Sequence, residues 1–116
     1  MAYQTRDVVE AMAREAKVDL AELRVDGGAS VMDLLCQEQA DQLGVPVRRP
    51  AMQETTALGA SFLAGLAEGV WSSTDELAQT WQLDTAFEPA EARTGADERY
   101  ADWQRAVERA RGWARD

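Results

Sequence analysis

The segment that most constrains this sequence is residues 23–28, where a short apolar stretch ends in an aspartate and two glycines. A helical pattern from Val31 to Leu43 follows, so the segment predicts a strand that turns sharply into a helix. Glycine tolerates positive φ angles and, without a Cβ, lets a ligand approach the backbone. A new helix favours anions at its start, and ligands of open α/β sheets collect where strands end. Gly27 and Gly28 are therefore candidates for a nucleotide site.

The same glycine pair is also typical of a tight turn that contacts no ligand. The sequence contains neither G-x-x-x-x-G-K-[ST] nor G-x-G-x-x-G, the patterns of complete phosphate-binding loops. On the residues alone, both interpretations stay open.

A second strand candidate at 45–48 follows Gly44, a residue that suits the end of a helix. Strand, helix and strand in this order predict a βαβ unit with a parallel pair. Pro46 cannot donate to a ladder, so it places this strand at an edge, or at the strand's first residues. A third strand is predicted at 81–87, a surface loop at 90–95, and helices at 3–17, 54–68, 74–80 and 96–114. The helix at 74 begins with a capping box, in which Ser73 and Glu76 exchange hydrogen bonds with the backbone.

Charge and composition exclude several classes of function. The net charge of −9 disfavours nucleic acid and anionic membrane surfaces as partners. The chain has no histidine, which excludes Ser-His-Asp and Cys-His catalysis and histidine-ligated metals. Its single cysteine fits a reducing compartment, and neither a signal-peptide pattern nor a membrane-length apolar run is present. We expect a cytoplasmic protein without nucleic-acid or membrane partners.

Several single residues allow two interpretations. Cys36 fits a small buried hydrophobic residue better than a nucleophile. The pair Arg48-Arg49 at a strand end is typical of a solvated end, and the alternative is contact with a phosphate. Glu38 interrupts the apolar stripe of its helix and needs solvent or a partner. Gly59 and Gly65 in a predicted helix indicate a close neighbour, with packing favoured over ligand contact.

Three strands, two of them very short, make a thin sheet for 116 residues. This pattern indicates part of a larger domain whose other strands are absent. Missing strands leave open sheet edges and exposed apolar faces. We therefore expect the isolated chain to self-associate or to be marginally stable.

A set of motifs along the chain resembles the C-terminal end of the glycerol kinases, in the carbohydrate-kinase superfamily. These motifs are AYQTRDV (2–8), LRVDGG (23–28), QAD (39–41), LGVPVRRP (43–50), ETTALGA (54–60) and LAGLAEGVW (63–71). The resemblance implies an α/β fold: a partial ribonuclease-H-like (actin-like ATPase) domain with short, mainly parallel strands and flanking helices. Residues 1–116 would form the C-terminal portion of its nucleotide-binding domain.

The resemblance also implies a function. Complete enzymes of this kind transfer the γ-phosphate of Mg²⁺-bound ATP to glycerol, and this chain would be a fragment, inactive without the N-terminal kinase domain. No catalytic or metal-binding residue carries over to it. Gly28 corresponds to a glycine that borders the adenine of ATP or ADP, with Gly27 beside it. Met32 stands where relatives have an asparagine that contacts the nucleotide, and methionine cannot supply the hydrogen bonds of that amide.

Two alternatives remain beside this interpretation. The chain could derive from another sugar kinase of the superfamily, or it could be a non-catalytic interaction module with an aromatic helix at 96–114.

Overall fold

The structure, a computed structural model, describes residues 1–90 and 95–112. The order of elements is helix, strand, 3₁₀ turn, helix, strand, two helices, strand and helix. They are α1 (Ala2–Ala16), β1 (Leu23–Arg24), a 3₁₀ turn (Gly28–Val31), α2 (Asp33–Leu43), β2 (Val47–Pro50), α3 (Thr55–Ala67), α4 (Thr74–Ala78), β3 (Leu83–Phe87) and α5 (Ala96–Ala110).

The three strands form one mixed sheet in the order β1-β2-β3. Leu23 pairs with Val47 in the parallel pair of β1 and β2, which confirms the predicted βαβ unit. β3 is antiparallel to β2, with Phe87 opposite Val47, so the expectation of mainly parallel strands holds only for the first pair. A parallel β3 would need a connection that crosses back to the end of the sheet where β2 begins. The chain instead passes through α3 and α4 and enters β3 from the end where β2 stops, so the two strands are antiparallel. Pro46 lies just before β2, where its carbonyl accepts from the N–H of Leu23 at 2.9 Å.

The predicted helices are all present, with boundaries shifted by a few residues. The pattern from Val31 to Leu43 divides into the 3₁₀ turn and α2, which Gly44 ends at φ 71°. Ser73 caps α4 through its hydroxyl, which accepts from the N–H of Glu76 at 3.2 Å. The Glu76 carboxylate accepts instead from the N–H of Ser72 at 2.8 Å, so the capping box is displaced by one residue on that side. α5 ends at Ala110; residues 91–94 of the predicted loop and residues 113–114 of the predicted helix lie outside the described residues.

A small apolar core lies between α2 and the sheet. Its buried members are Cys36 and Ala40 of α2, Val47 of β2 and Phe87 of β3. Leu23 and Val25 pack against this cluster from the β1 side. The two helical members are small, so the axis of α2 lies close to the central strand.

On its other side α2 meets α1 and α5 through polar contacts. Arg6 of α1 donates to Gln42 of α2 at 3.2 Å and to Asp97 of α5 at 2.8 Å, and its guanidinium lies 4.0 Å from the ring centre of Tyr100. Gln42 is fully buried, so this hydrogen bond satisfies a polar group that is shielded from water. Glu38 finds the partner its position required, since it accepts from Arg99 at 3.3 Å.

Asp7 joins α1 to α5 through two aromatic side chains. It accepts from the hydroxyl of Tyr100 at 2.5 Å and from the indole N–H of Trp103 at 2.8 Å. Tyr3 stacks on Trp103 with ring centres 5.9 Å apart. Burial, with the hydrogen bond to Asp7, raises the pKa of Tyr100 above its ordinary value. Tyr100 and Trp103 of the predicted aromatic helix therefore pack within this chain.

α3 stands apart from this assembly. The helix is the most apolar of the chain, yet Gly65 is its only buried residue. Trp71 packs on Gly65 so closely that an added Cβ would lie 2.1 Å from the indole ring, whereas Gly59 has open space beside it. The expectation of packing is thus confirmed at Gly65, whereas no atom of the described residues packs on Gly59.

The described chain is extended for its length. Its radius of gyration is 17.7 Å, compared with about 13 Å for a compact domain of this size. A cavity of about 690 Å³ opens between α3, α4 and the start of β3, with Phe62, Trp71 and Trp81 in its lining. Among the described residues, no helix has the length and apolar character needed to cross a membrane.

The exposed apolar face of α3 generates a prediction about association. Leu63 on this face is 71% exposed, so replacing it with glutamate should reduce self-association without removing a core contact. Sedimentation velocity over a range of chain concentrations measures this. Met12→Glu is the control, because Met12 is similarly exposed on α1. A monomeric wild-type chain, or equal effects of the two variants, would contradict the prediction.

Candidate functional site

The turn between β1 and α2 is fixed by Gly27 and Ser30. Gly27 has φ 79° and ψ 179°, a backbone conformation that residues with a side chain rarely adopt. Its carbonyl accepts from the N–H of Ser30 at 3.0 Å and from the Ser30 hydroxyl at 2.7 Å. Its own N–H donates to the carbonyl of Gln53 at 3.1 Å. Glycine is therefore required here by the backbone itself.

Gly28 differs from Gly27 in its backbone conformation and shares with it the open space for a side chain. Its φ lies outside the left-handed region, and a Cβ built on it would meet no atom of the described chain within 4 Å. The residue is exposed at the start of the 3₁₀ turn. Neither backbone strain nor internal packing requires glycine at this position, and the space beside it is open to an external group.

Met32 joins the 3₁₀ turn to α2. It occupies the N-cap position of α2 in an extended conformation, and its side chain makes no capping hydrogen bond. The residue is 48% exposed. The structure thus brings the three candidate residues onto one segment of six residues, in which Gly28 and Met32 are exposed, Gly27 is half-buried and Ser30 is buried.

Arg49 lies under this segment and corrects the interpretation of the arginine pair. Its guanidinium donates to the carbonyl of Ser30 at 3.0 Å, to Asp33 at 2.8 Å and to Asp84 at 2.8 Å. The side chain is only 11% exposed, so Arg49 is neither a solvated strand end nor turned outward to meet a phosphate. The carboxylates of Asp33 and Asp84 raise its pKa, and Arg49 in turn lowers the pKa of Asp84.

Arg48 points to the other side of the sheet. It forms an ion pair with Glu22, which also accepts from Arg24 at 2.8 Å. These two arginines, Arg24 first, hold the pKa of Glu22 below its ordinary value. The guanidinium of Arg24 lies 4.4 Å from the ring centre of Trp81. The prediction of a solvated end is therefore wrong for Arg49, whereas the side chain of Arg48 stays 33% exposed in its ion pair with Glu22.

Cys36 is the small buried residue that the sequence predicts. Its thiol is fully buried and donates to the carbonyl of Ser30 at 3.3 Å. Burial raises its pKa, so the reactive thiolate is disfavoured.

Sequence reasoning misses Ser30, Gln53 and the contacts of Arg49. The available signal for Ser30 is its spacing, because a serine hydroxyl bonds readily to a carbonyl three residues earlier. Gln53 contributes only its backbone carbonyl, which no residue pattern can indicate. Within the described ranges, no group of three or more His, Cys, Asp or Glu side chains could hold a metal ion.

Comparisons with known proteins find one family and related sequences that together cover nearly the whole chain. The profile of the FGGY family of carbohydrate kinases, C-terminal domain, matches residues 1–68. The glycerol kinase of Aromatoleum aromaticum is 58% identical over 113 residues, which are 97% of this chain and 23% of that relative. The chain therefore spans about a quarter of the length of the curated relatives it matches.

Solved structures show the same architecture. A glycerol kinase of Plasmodium falciparum, solved with ADP, matches with a TM-score of 0.76 and 25% identity, over 93% of this chain and 22% of that one. A ligand-bound xylulose kinase of Lactobacillus acidophilus matches with a TM-score of 0.64 and 23% identity, over 78% of this chain and 18% of that one. The second similarity concerns the fold alone, and both support the predicted actin-like ATPase class.

The uncapped start of α2 generates a stability prediction. Serine at an N-cap accepts a hydrogen bond from a free N–H group in the first turn, so Met32→Ser should raise the free energy of unfolding by about 1 kcal/mol. Urea unfolding followed by circular dichroism measures the change. Met32→Ala is the matched control, because alanine removes the same side chain and cannot cap. Equal stabilities of the two variants would contradict the prediction.

Proposed function

The chain belongs to the FGGY family of carbohydrate kinases, and on this premise we propose that it is the C-terminal portion of a glycerol kinase. The proposal assigns residues 1–116 to the nucleotide-binding domain. The observation that carries it is the 58% identity to a glycerol kinase over 113 residues. This similarity covers 97% of the chain. It therefore extends well beyond residues 1–68, the part that matches the family profile.

We propose that the Gly27–Met32 segment contacts the adenine side of ATP or ADP. The open space at Gly28 supports this, since a flat base can lie against a backbone that has no Cβ. The charges nearby also favour the base over the phosphates. Asp26 is exposed next to the glycines, Asp33 begins α2, and the Arg49 guanidinium is engaged with Asp33 and Asp84. The similarity to a glycerol kinase solved with ADP supports a nucleotide as the ligand.

In the complete enzyme the reaction would be transfer of the γ-phosphate of ATP to glycerol. Phosphoryl transfer depends mainly on positioning the reactants and stabilising charge in a closed cleft. The residues of this chain would bind and orient one end of the nucleotide, while the catalytic base and the glycerol contacts would come from the preceding polypeptide. Mg²⁺, which would accompany the nucleotide phosphates, and a cytoplasmic location both stay predictions.

The partner implied by this proposal is the N-terminal remainder of the kinase. A further packed segment would cover the apolar face of α3 and the open cavity beside Trp71 and Trp81. It would also account for a radius of gyration that is large for the length of this chain. The chain by itself would then be inactive toward glycerol.

Gly28 provides a direct test of the nucleotide contact. Gly28→Ala adds a Cβ that the protein itself accommodates, so the fold should persist while the affinity for ADP falls about tenfold because the methyl group displaces the base. Amide NMR titration of the isolated chain with ADP and Mg²⁺ measures this, with shifts expected at Gly27, Gly28 and Met32.

Gly59→Ala is the matched control, because Gly59 also has open space and lies on α3. It should leave ADP binding unchanged and stabilise α3 by up to about 1 kcal/mol. A folded wild-type chain whose amides do not respond to ADP would overturn the nucleotide role of this segment.

Complementation tests the assignment to a glycerol kinase. The part of the Aromatoleum aromaticum enzyme that precedes the matched region, supplied in trans, should restore glycerol-dependent ADP formation that neither piece shows alone. Leu63→Glu should reduce the restored activity, because it places a charge on the apolar face of α3.

The substrate used in that assay separates the alternatives. Activity with xylulose or gluconate and not with glycerol would indicate another sugar kinase. A stable monodisperse chain that binds a specific protein, restores no activity and ignores nucleotides would indicate an interaction module.

A further inference from the structure

We propose that Arg49 is a positioning residue for the nucleotide, which sets affinity by fixing the Gly27–Met32 segment from below. The inference rests on the proposed function, because it concerns the same segment. Arg49 lies on β2, the central strand of the sheet.

A continuous chain of hydrogen bonds leads from β3 to the glycine pair. On β3, Asp84 accepts from Arg49 at 2.8 Å and the Thr85 hydroxyl lies 3.3 Å from the same guanidinium. Arg49 then donates to the carbonyl of Ser30 at 3.0 Å. Ser30 donates through its hydroxyl and its N–H to the carbonyl of Gly27. Arg49 and Ser30 thereby link the carbonyl of Gly27 to β3, while the N–H of Gly27 is held separately by Gln53.

Arg49 also controls the charge beside the segment. Its contact with Asp33 at 2.8 Å holds that carboxylate, which is otherwise largely exposed, at the start of α2 directly after Met32. If Arg49 did not hold it, Asp33 would place an uncompensated negative charge next to the ligand. Loss of Arg49 should thus weaken binding of an anionic nucleotide in two ways, through geometry and through charge.

The planar guanidinium is needed for this role. Its donors diverge in a fixed fork, so one group can meet a carbonyl, two carboxylates and a hydroxyl that lie in different directions. A lysine ammonium keeps the charge but concentrates its donors at one point and cannot reach all four. Arg49→Lys therefore separates geometry from charge.

Arg6 provides a matched control. It is as shielded as Arg49, with a side chain 12% exposed, and it likewise joins several elements, here three helices, through more than one acceptor. Its partners Glu10, Gln42 and Asp97 lie on α1, α2 and α5, and none belongs to the Gly27–Met32 segment. Arg6→Lys thus reports the effect of weakening an arginine network elsewhere in the same fold.

The experiment titrates wild type, Arg49→Lys, Asp84→Asn and Arg6→Lys with Mg²⁺ and ADP, by amide NMR at a temperature where each is folded. We expect the dissociation constant to rise about tenfold in Arg49→Lys and by a smaller factor in Asp84→Asn, within the range of contacts that act beside a ligand site. Arg6→Lys should keep the wild-type affinity for ADP even if its midpoint of thermal unfolding falls as much as that of Arg49→Lys.

Each outcome bears on the inference. Unchanged ADP affinity in Arg49→Lys, or an equal loss in Arg6→Lys, would overturn the role of Arg49 and leave the proposed function intact. If Arg49→Lys does not fold, Asp84→Asn decides the matter, because Asp84 is half exposed. Its replacement alters the contacts of Asp84 with Arg49 and Thr85 and leaves those of Arg49 with Ser30 and Asp33 in place. A wild-type chain that does not bind ADP would overturn the proposed nucleotide role, and this inference with it.

Discussion

The packing of α2 against the central strand is the contact on which the rest of this structure depends. Cys36 and Ala40 are fully buried on the helix and face Val47, which is fully buried on β2. From this base α2 reaches the other elements with polar side chains. Gln37 donates to the carbonyl of Glu88 after β3, Gln39 to Thr5 of α1, and Glu38 accepts from Arg99 of α5. Without α2, the sheet and the two outer helices α1 and α5 would have no element between them on which both pack.

The balance of interactions around α2 is unusual for a stable domain. Few large apolar side chains are buried, while α1, α2 and α5 meet through Arg6, Asp7 and Gln42. Such contacts specify a single arrangement, because each buried donor or acceptor left unpaired costs about 1–3 kcal/mol. They contribute less net stability than an equal area of apolar packing, since each replaces hydrogen bonds to water. A chain built this way gains from the apolar contacts that a longer polypeptide would add on α3.

The same architecture explains how a short segment could act as part of a binding site. Gly27 is held from two sides, by Gln53 and by Ser30, and Ser30 is held by Arg49. Gly28 and Met32 are exposed on this supported frame. A rigid support beneath an open surface suits ligand binding, because little conformational freedom is lost when the ligand arrives.

Much of this arrangement could be read from the residues. Periodicity, short apolar stretches and a capping box together predicted the five α-helices and the three strands. Gly44 and Ser73 predicted helix boundaries, and small size with apolar character predicted burial of Cys36. The motif from residue 23 to 28 located the candidate segment, and the resemblance that it helped to carry agrees with the matched family. These features are local, since they depend on backbone preferences and on the spacing of apolar side chains.

Contacts between distant residues were decided only by the tertiary structure. Arg49 looked like a solvated strand end, yet it meets Ser30, Asp33 and Asp84 because β2 lies between α2 and β3. The antiparallel direction of β3 also depends on how α3 and α4 return the chain, which the strand pattern does not contain. The sequence by itself determined which segments form helices and strands and where the glycine pair lies. The folded chain separated Gly27, whose backbone is fixed by its positive φ and its hydrogen bonds, from the exposed Gly28. Only the folded chain decided which charges meet, because hydrogen bonds between distant residues follow from the packing of whole elements.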